Sequence, residues 1–199
     1  MSESSDRDAA WVAIEIPLSP QTLAPFLADP ETLYRVNSLL EIQAWERLSS
    51  EQVQLQARNL SNGQFWDTRL RFSPKPDGLV VHYSGLLKQR TEFQIEPRAV
   101  GGSLLRITDD YSGIPETERK SRLEEVDRSL PQWGQDLYGF FRAWHRWHWF
   151  PPWRWFMQRV WLPMKPLARR ITRWILWITL AEFLIFLLVF ALFVHERQA

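Results

Sequence analysis

The chain has 199 residues, with 24 Lys/Arg against 23 Asp/Glu, twelve tryptophans and no cysteine. Without thiols there are no disulfides, no cysteine-ligated metals and no thiol catalysis, and a chain of this length fits one folded domain with an appendage. The net charge of +1 conceals two unlike parts: residues 1–136 hold 15 Lys/Arg and 21 Asp/Glu, whereas residues 137–181 hold 8 Lys/Arg, no acid and eight of the tryptophans.

Residues 1–10 are polar and acidic and read as disordered, with neither the basic start nor the apolar run of a secretory signal. Val12, Ile14 and Ile16 then alternate with Ala13 and Glu15, which is strand periodicity. Ser19–Pro20 and Asp29–Pro30 each set a capping residue before a proline at the first helical position, so two short helices are predicted near 20–28 and 30–37. Alternating apolar runs predict six strands, near 41–48, 52–60, 64–73, 79–85, 88–97 and 103–112. Three connections carry Asn62–Gly63, Asp77–Gly78 and Gly101–Gly102, pairs suited to the positive φ of tight turns, so an antiparallel meander is expected. From Pro115 the period becomes helical. Leu123, Val126 and Leu130 share one side, Pro131 kinks or restarts the helix, and Trp133, Leu137, Phe140, Phe141 and Trp144 carry the apolar face onward.

The basic stretch interleaves Trp147, Trp149, Trp153, Trp155 and Trp161 with Arg154 and Arg159, and continues to Arg169, Arg170 and Arg173. Tryptophan favours the membrane–water interface, and each Arg or Lys near an anionic surface gains ~1 kcal/mol. Residues 146–173 therefore read as an interfacial collar that binds anionic head groups. Within it a short helix is bounded by Pro151–Pro152 and by Pro163 and Pro166, with Trp153, Phe156, Met157, Val160 and Trp161 on one face. The competing reading packs those aromatics on the folded domain. Basic residues among aromatics can also signal nucleic acid, but beside a membrane span no nucleic-acid partner is expected.

Residues Ile175–Val194 are apolar except for Thr179 and Glu182. As a helix this run covers ~30 Å, the thickness of a bilayer's hydrocarbon core, so residues 174–195 are predicted to be a transmembrane helix, single-pass and tail-anchored. The arginines before it place the N-terminal domain (residues 11–145) in the cytoplasm, most simply at a bacterial inner membrane. Glu182 near the middle of the span costs at least ~2.5–3.5 kcal/mol when ionised, so it is either neutral or partnered. Thr179 lies on the same side, and the pair could meet a membrane-protein partner or a second copy of the chain.

The order of strand, two short helices, six strands and a long helix resembles the START-like or SRPBCC superfamily and its α+β helix-grip fold. The likeness is carried by IPLSPQTLAPFLADPETLYRV (Ile16–Val36) and TEFQIEPRAVGGSLLRITDDYSG (Thr91–Gly113). It implies a curved antiparallel sheet gripping the long helix around an apolar cavity. Members of that superfamily bind lipids, sterols, polyketides, hormones or quinones, and some are cyclases or hydrolases. No Rieske motif is present, which removes the oxygenase branch.

A cavity would be lined by one face of each strand: Trp66, Leu70 and Phe72; Val81 and Tyr83; Leu105, Ile107, Asp109 and Tyr111. A packed core has the same alternation, so both readings stand. Asp109 and Asp110 are adjacent in a strand, point to opposite faces and form no catalytic dyad. His82 opposes Val81 and Tyr83 and reads as solvent-facing. His145 and His148 lack a third metal ligand, and Arg69, Arg71, Lys88 and Arg90 read as a solvated basic sheet face. No metal, cofactor or catalytic set is expected. The sequence thus points to membrane-tethered binding or transfer of a lipid or isoprenoid quinone. The alternatives are an accessory or assembly subunit of a membrane complex and, third, a cyclase-like enzyme.

Overall fold

The computed structural model describes residues 9–99, 101–113 and 122–198. They fall into two compact units divided after Pro163. In the first, β1 (Ala9–Ile16), α1 (Pro20–Leu27) and α2 (Pro30–Val36) precede the strands β2 (Leu40–Arg47), β3 (Gln52–Asn59), β4 (Phe65–Lys75), β5 (Gly78–Tyr83), β6 (Arg90–Pro97) and β7 (Ser103–Asp110). Two helices follow, α3 (Leu130–Trp147) and α4 (Pro151–Phe156), the latter continuing into a π-helical turn over Met157–Trp161. All seven strands form one antiparallel sheet in the order β1-β7-β6-β5-β4-β3-β2. This is the α+β helix-grip arrangement. α1 and α2 carry the chain from one sheet edge to the other, and α3 closes the inner face.

The local chemistry explains these elements. The Ser19 hydroxyl accepts from the Thr22 N–H and caps α1 as expected. Asp29 makes no such bond, and its carboxylate instead accepts from the Thr32 hydroxyl at 2.7 Å. Gly63, Gly101 and Gly102 have positive φ, but Gly78 does not. Its reason is proximity: a Cβ there would lie 2.0 Å from the Phe93 carbonyl oxygen, so β5 can pair this closely with β6 only without a side chain. Gly134 plays the same part for α3, where a Cβ would stand 3.0 Å from a Val12 methyl on β1.

The helix expected from Pro115 starts later. Residues 114–121 lie outside the described residues, Leu123–Glu125 make a single 3₁₀ turn, and α3 begins at Leu130 with Pro131 in its first turn. Leu123, Val126 and Leu130 therefore do not share a helix. The Asp127 carboxylate accepts from the Ser129 N–H at 2.9 Å, a local bond that competes with continuous helix. From Leu130 onward the expected face holds: Trp133, Leu137, Phe140 and Phe141 are buried, and the Phe26 ring of α1 meets Phe140, Phe141 and Trp144 edge-on at 5.1–5.9 Å.

The second unit is one helix, α5 (Pro166–Gln198). Its stretch Pro166–His195 is long and apolar enough to cross a membrane, by length and composition. Arg169, Arg170 and Arg173 stand on the first turns of this same helix, upstream of the apolar run. Thr179 and Glu182, three residues apart, share a side.

Candidate functional site

The alternation of β4, β5 and β7 turns Trp66, Leu70, Phe72, Val81, Tyr83, Leu105, Ile107 and Asp109 to the inner face, and Tyr111 follows just past β7; all are buried. Leu70, Val81, Leu105 and Ile107 are fully enclosed in the core with Trp133, Leu137 and Phe141 of α3. Trp66, Tyr83, Asp109 and Tyr111 instead surround a buried polar cluster whose centre is Lys88.

Lys88 does not lie on a solvated sheet face. It sits in the loop between β5 and β6 with 3% of its surface exposed, and its Nζ is 2.6 Å from Asp127 Oδ2 and 3.2 Å from Asp109 Oδ2. The ammonium also stands 5.0 Å from the Tyr83 ring centre and 5.3 Å from that of Trp66, a cation–π enclosure. A residue that registers as charged in sequence is held inside by two carboxylates distant along the chain and by the rings around them.

The donors can be followed one by one. The Thr91 hydroxyl donates to Asp109 Oδ1 at 2.5 Å, so its oxygen accepts from the Tyr83 hydroxyl at 2.9 Å, and Tyr83 in turn accepts from Tyr34. The chain Tyr34, Tyr83, Thr91, Asp109 thus runs in one direction. Asp127 Oδ1 accepts from Asn59 Nδ2 and the Ser129 N–H, both at 2.9 Å. Asn37 donates to the Ser129 hydroxyl at 3.2 Å. Burial opposes both carboxylates. For Asp127 the Lys88 charge and these hydrogen bonds outweigh it and hold the group well below the usual carboxylate range. For Asp109 burial and the neighbouring Asp127 prevail, so its pKa is raised. Burial also disfavours the Lys88 charge, but the two carboxylates outweigh it and raise its pKa. Among the described residues, one cation between two acids leaves the cluster short of positive charge.

Among the described residues the cluster borders an opening beside β4. A pocket of about 220 Å³ is lined by Phe65 and Trp66 at the start of β4, Leu86 and Leu87 of the β5–β6 loop, and Lys88 and Asp127. Phe65 is exposed at this mouth. Elsewhere in the interior Trp45 Nε1 is buried and has no hydrogen-bond partner among the described residues, with its ring 5.7 Å from that of Tyr34.

Lys88, Thr91, Asp127, Asn59, Tyr34 and Trp45 were not legible as site residues. Lys88 and Asp127 lie in loops, where a charge looks like surface, whereas Asn59 and Thr91 fall on the buried alternation of β3 and β6 but are polar.

On the opposite sheet face Arg69, Arg71 and Arg90 are exposed, with His82 part-buried among them. Asp110 points outward and pairs with Arg90 at 2.8 Å, so the two adjacent aspartates are indeed separated by the sheet. Burial, then Arg71 and Arg90, lower the His82 pKa.

In the aromatic segment Trp149 and Trp155 are exposed at 68% and 63%, as are Trp147, Phe150, Arg154 and Arg159. The expected apolar face is not all free: the Trp153 ring packs 5.7 Å from Trp144 of α3, and Met157 rests on the core. Trp161 is partly covered and tilted against Phe156. Of the exposed aromatics only Trp155 is on α4; Trp147 ends α3, and Trp149 and Phe150 lie in the turn between the two helices.

No protein-family model matches this chain, and no curated protein matches it. Its fold is similar to that of several solved structures. DR_A0006 from Deinococcus radiodurans has 14% identity and a TM-score of 0.48, covering 68% of this chain and 95% of its own. For Ara h 8.0201 the values are 11%, 0.41, 68% and 97%. For the AHSA1-like protein from Aeromonas hydrophila they are 12%, 0.38, 64% and 92%. Likeness at such identity concerns the fold alone.

Proposed function

We propose that the helix-grip domain binds a hydrophobic molecule by its polar end, and that α5 tethers the domain to the membrane from which that molecule comes. The observation that carries this reading is the pocket between Phe65, Trp66 and Leu86 that reaches the buried Lys88–Asp127 pair. Buried charges are costly, and perturbed ionisable groups that line a cleft mark candidate functional sites. At about 220 Å³ the pocket is smaller than the ~300–1,000 Å³ of sites that enclose a whole drug-sized ligand. It therefore suits a head group, with the apolar remainder along Phe65, Trp66 and Leu86 or still in the bilayer. A hydroxyl or carbonyl on an isoprenoid quinone or lipid matches a floor that both donates and accepts. Membrane attachment through α5 and the exposed Trp149 and Trp155 makes capture effectively intramolecular.

Native mass spectrometry of the gently solubilised chain, with Leu86→Trp as comparison, tests this. The wild type should carry a co-purifying apolar small molecule, and filling the mouth should remove it without lowering the melting temperature. Equal occupancy in both, or none in either, refutes the reading.

The fully packed inner face at Leu70, Val81, Leu105 and Ile107 supports a second reading, an accessory subunit that needs no internal ligand. In that case Thr179 and Glu182 on the exposed α5 dock against a partner helix. The same experiment separates the two, since a docked subunit co-purifies with protein rather than with a small molecule.

A further inference from the structure

The outer sheet face carries a second concavity, of about 770 Å³. The strand register places Gln52, Arg71, His82, Arg90 and Asp110 in one row across β3 to β7. Arg69 lies two residues before Arg71 on β4, on the same face and roughly 7 Å away. Arg90 is neutralised by Asp110. Arg69 and Arg71 pair with no carboxylate among the described residues, because Asp67, the acid nearest along β4, accepts from Gln54 at 2.6 Å and Gln56 at 3.3 Å. His82 is flanked by Arg71 on one side and Arg90 on the other, an arrangement that disfavours its protonated form unless an anion is near. The surrounding domain is acidic, with 21 Asp/Glu to 15 Lys/Arg in residues 1–136, so the recess is a local reversal of charge.

We propose that Arg69, Arg71 and His82 form a binding site for a phosphate group on the outer face of the sheet, separated from the Lys88 pocket by Gly85 and Leu86 of the β5–β6 loop, which border both. Two guanidinium forks offer paired N–H donors to separate oxygens of a phosphate, the geometry in which arginine binds oxyanions most strongly. His82, between Arg71 and Arg90, supplies a third donor when an anion beside it favours its protonated form. Asp110 stays on Arg90 and keeps that end of the row from competing. The shared chemistry is a phosphate mono- or diester, borne either by a lipid head group or by a soluble molecule.

The test uses the full chain in neutral maltoside micelles, read by the His82 imidazole resonances. Inorganic phosphate is titrated in one arm, and micelles doped with an anionic phospholipid form the other. Saturable shifts with inorganic phosphate assign a soluble ligand, and shifts only with the phospholipid assign a head group. In either case Arg69→Gln and Arg71→Gln should each weaken binding roughly tenfold or more, the loss of one charge-assisted contact. Arg47→Gln, an exposed arginine on β2, should leave it unchanged. Arg71→Lys retains the charge and removes the fork; it should bind more weakly than wild type and guards against a folding defect in the glutamine variant. No His82 shift in either arm, or shifts that Arg69→Gln and Arg71→Lys leave unaltered, would overturn the proposal.

Discussion

Replacing Lys88 by methionine removes a buried cation while keeping most of the bulk of its stem. Its Nζ stands 2.6 Å from Asp127 and 3.2 Å from Asp109, and both carboxylates are buried, so the variant strands two acids in the interior. Removing one partner of a buried ion pair costs ~3–5 kcal/mol, against a total of ~5–15 kcal/mol for a domain. At ~2–4 °C per kcal/mol for a chain of this size, the melting midpoint should fall by roughly 6–20 °C. The loss should depend on pH. In the wild type the Asp127 pKa is depressed below its unfolded value of ~3.9, so its contribution is present above about pH 4 and is lost on further acidification. Asp109 works in the opposite sense: its pKa is raised, so its penalty grows as pH rises above ~4 and is relieved on acidification. Without Lys88, burial raises both acids, and the deficit should be greatest near pH 7 and shrink towards pH 4. Thermal unfolding followed by the near-UV dichroism of the tryptophans between pH 4 and 8 measures it. A Lys88→Met midpoint within ~2 °C of wild type at pH 7, or a deficit that is constant with pH, would refute the reasoning.

Gly78→Ala sets a methyl against the Phe93 carbonyl oxygen and should destabilise by ~1–3 kcal/mol, whereas Gly139→Ala, with nothing within 4 Å of its Cβ on α3, should be neutral or stabilising by ~0.5–1 kcal/mol in the same melts. A chain ending at Pro163 keeps Trp149, Trp155, Arg154 and Arg159 and should sediment with anionic vesicles in a salt-sensitive manner, while one ending at His148 should remain in the supernatant. Equal partitioning removes the interfacial role of that segment. Glu182→Leu should reduce crosslinking to a membrane partner or a second copy if its carboxyl group is hydrogen-bonded across helices, at ~1–2 kcal/mol per lost contact. Unchanged crosslinks with normal insertion discard the docking reading.

Much of this protein was determined by the sequence alone. Strand alternation in segments such as 64–73 and 103–112 is a property of the backbone's two-residue period, and it placed Trp66, Leu70, Ile107 and Asp109 on the buried face. Ser19–Pro20 and Asp29–Pro30 located α1 and α2 through local chemistry, and a twenty-residue run, apolar but for Thr179 and Glu182, announced the membrane-length helix without reference to the rest of the chain. The burial of Lys88 escaped because it depends on contacts between distant residues, and the later start of α3 because Asp127, which bonds locally to the Ser129 N–H, is itself held by Lys88 and Asn59. Lys88 meets Asp109 and Asp127, 21 and 39 positions away, and is enclosed by rings from two other strands and α3. Likewise Arg71 and His82 become neighbours only through the β4–β5 register. A charge is solvated by default, and only a three-dimensional arrangement that supplies counter-charges and donors from separate elements makes its burial, or its crowding with like charges, stable.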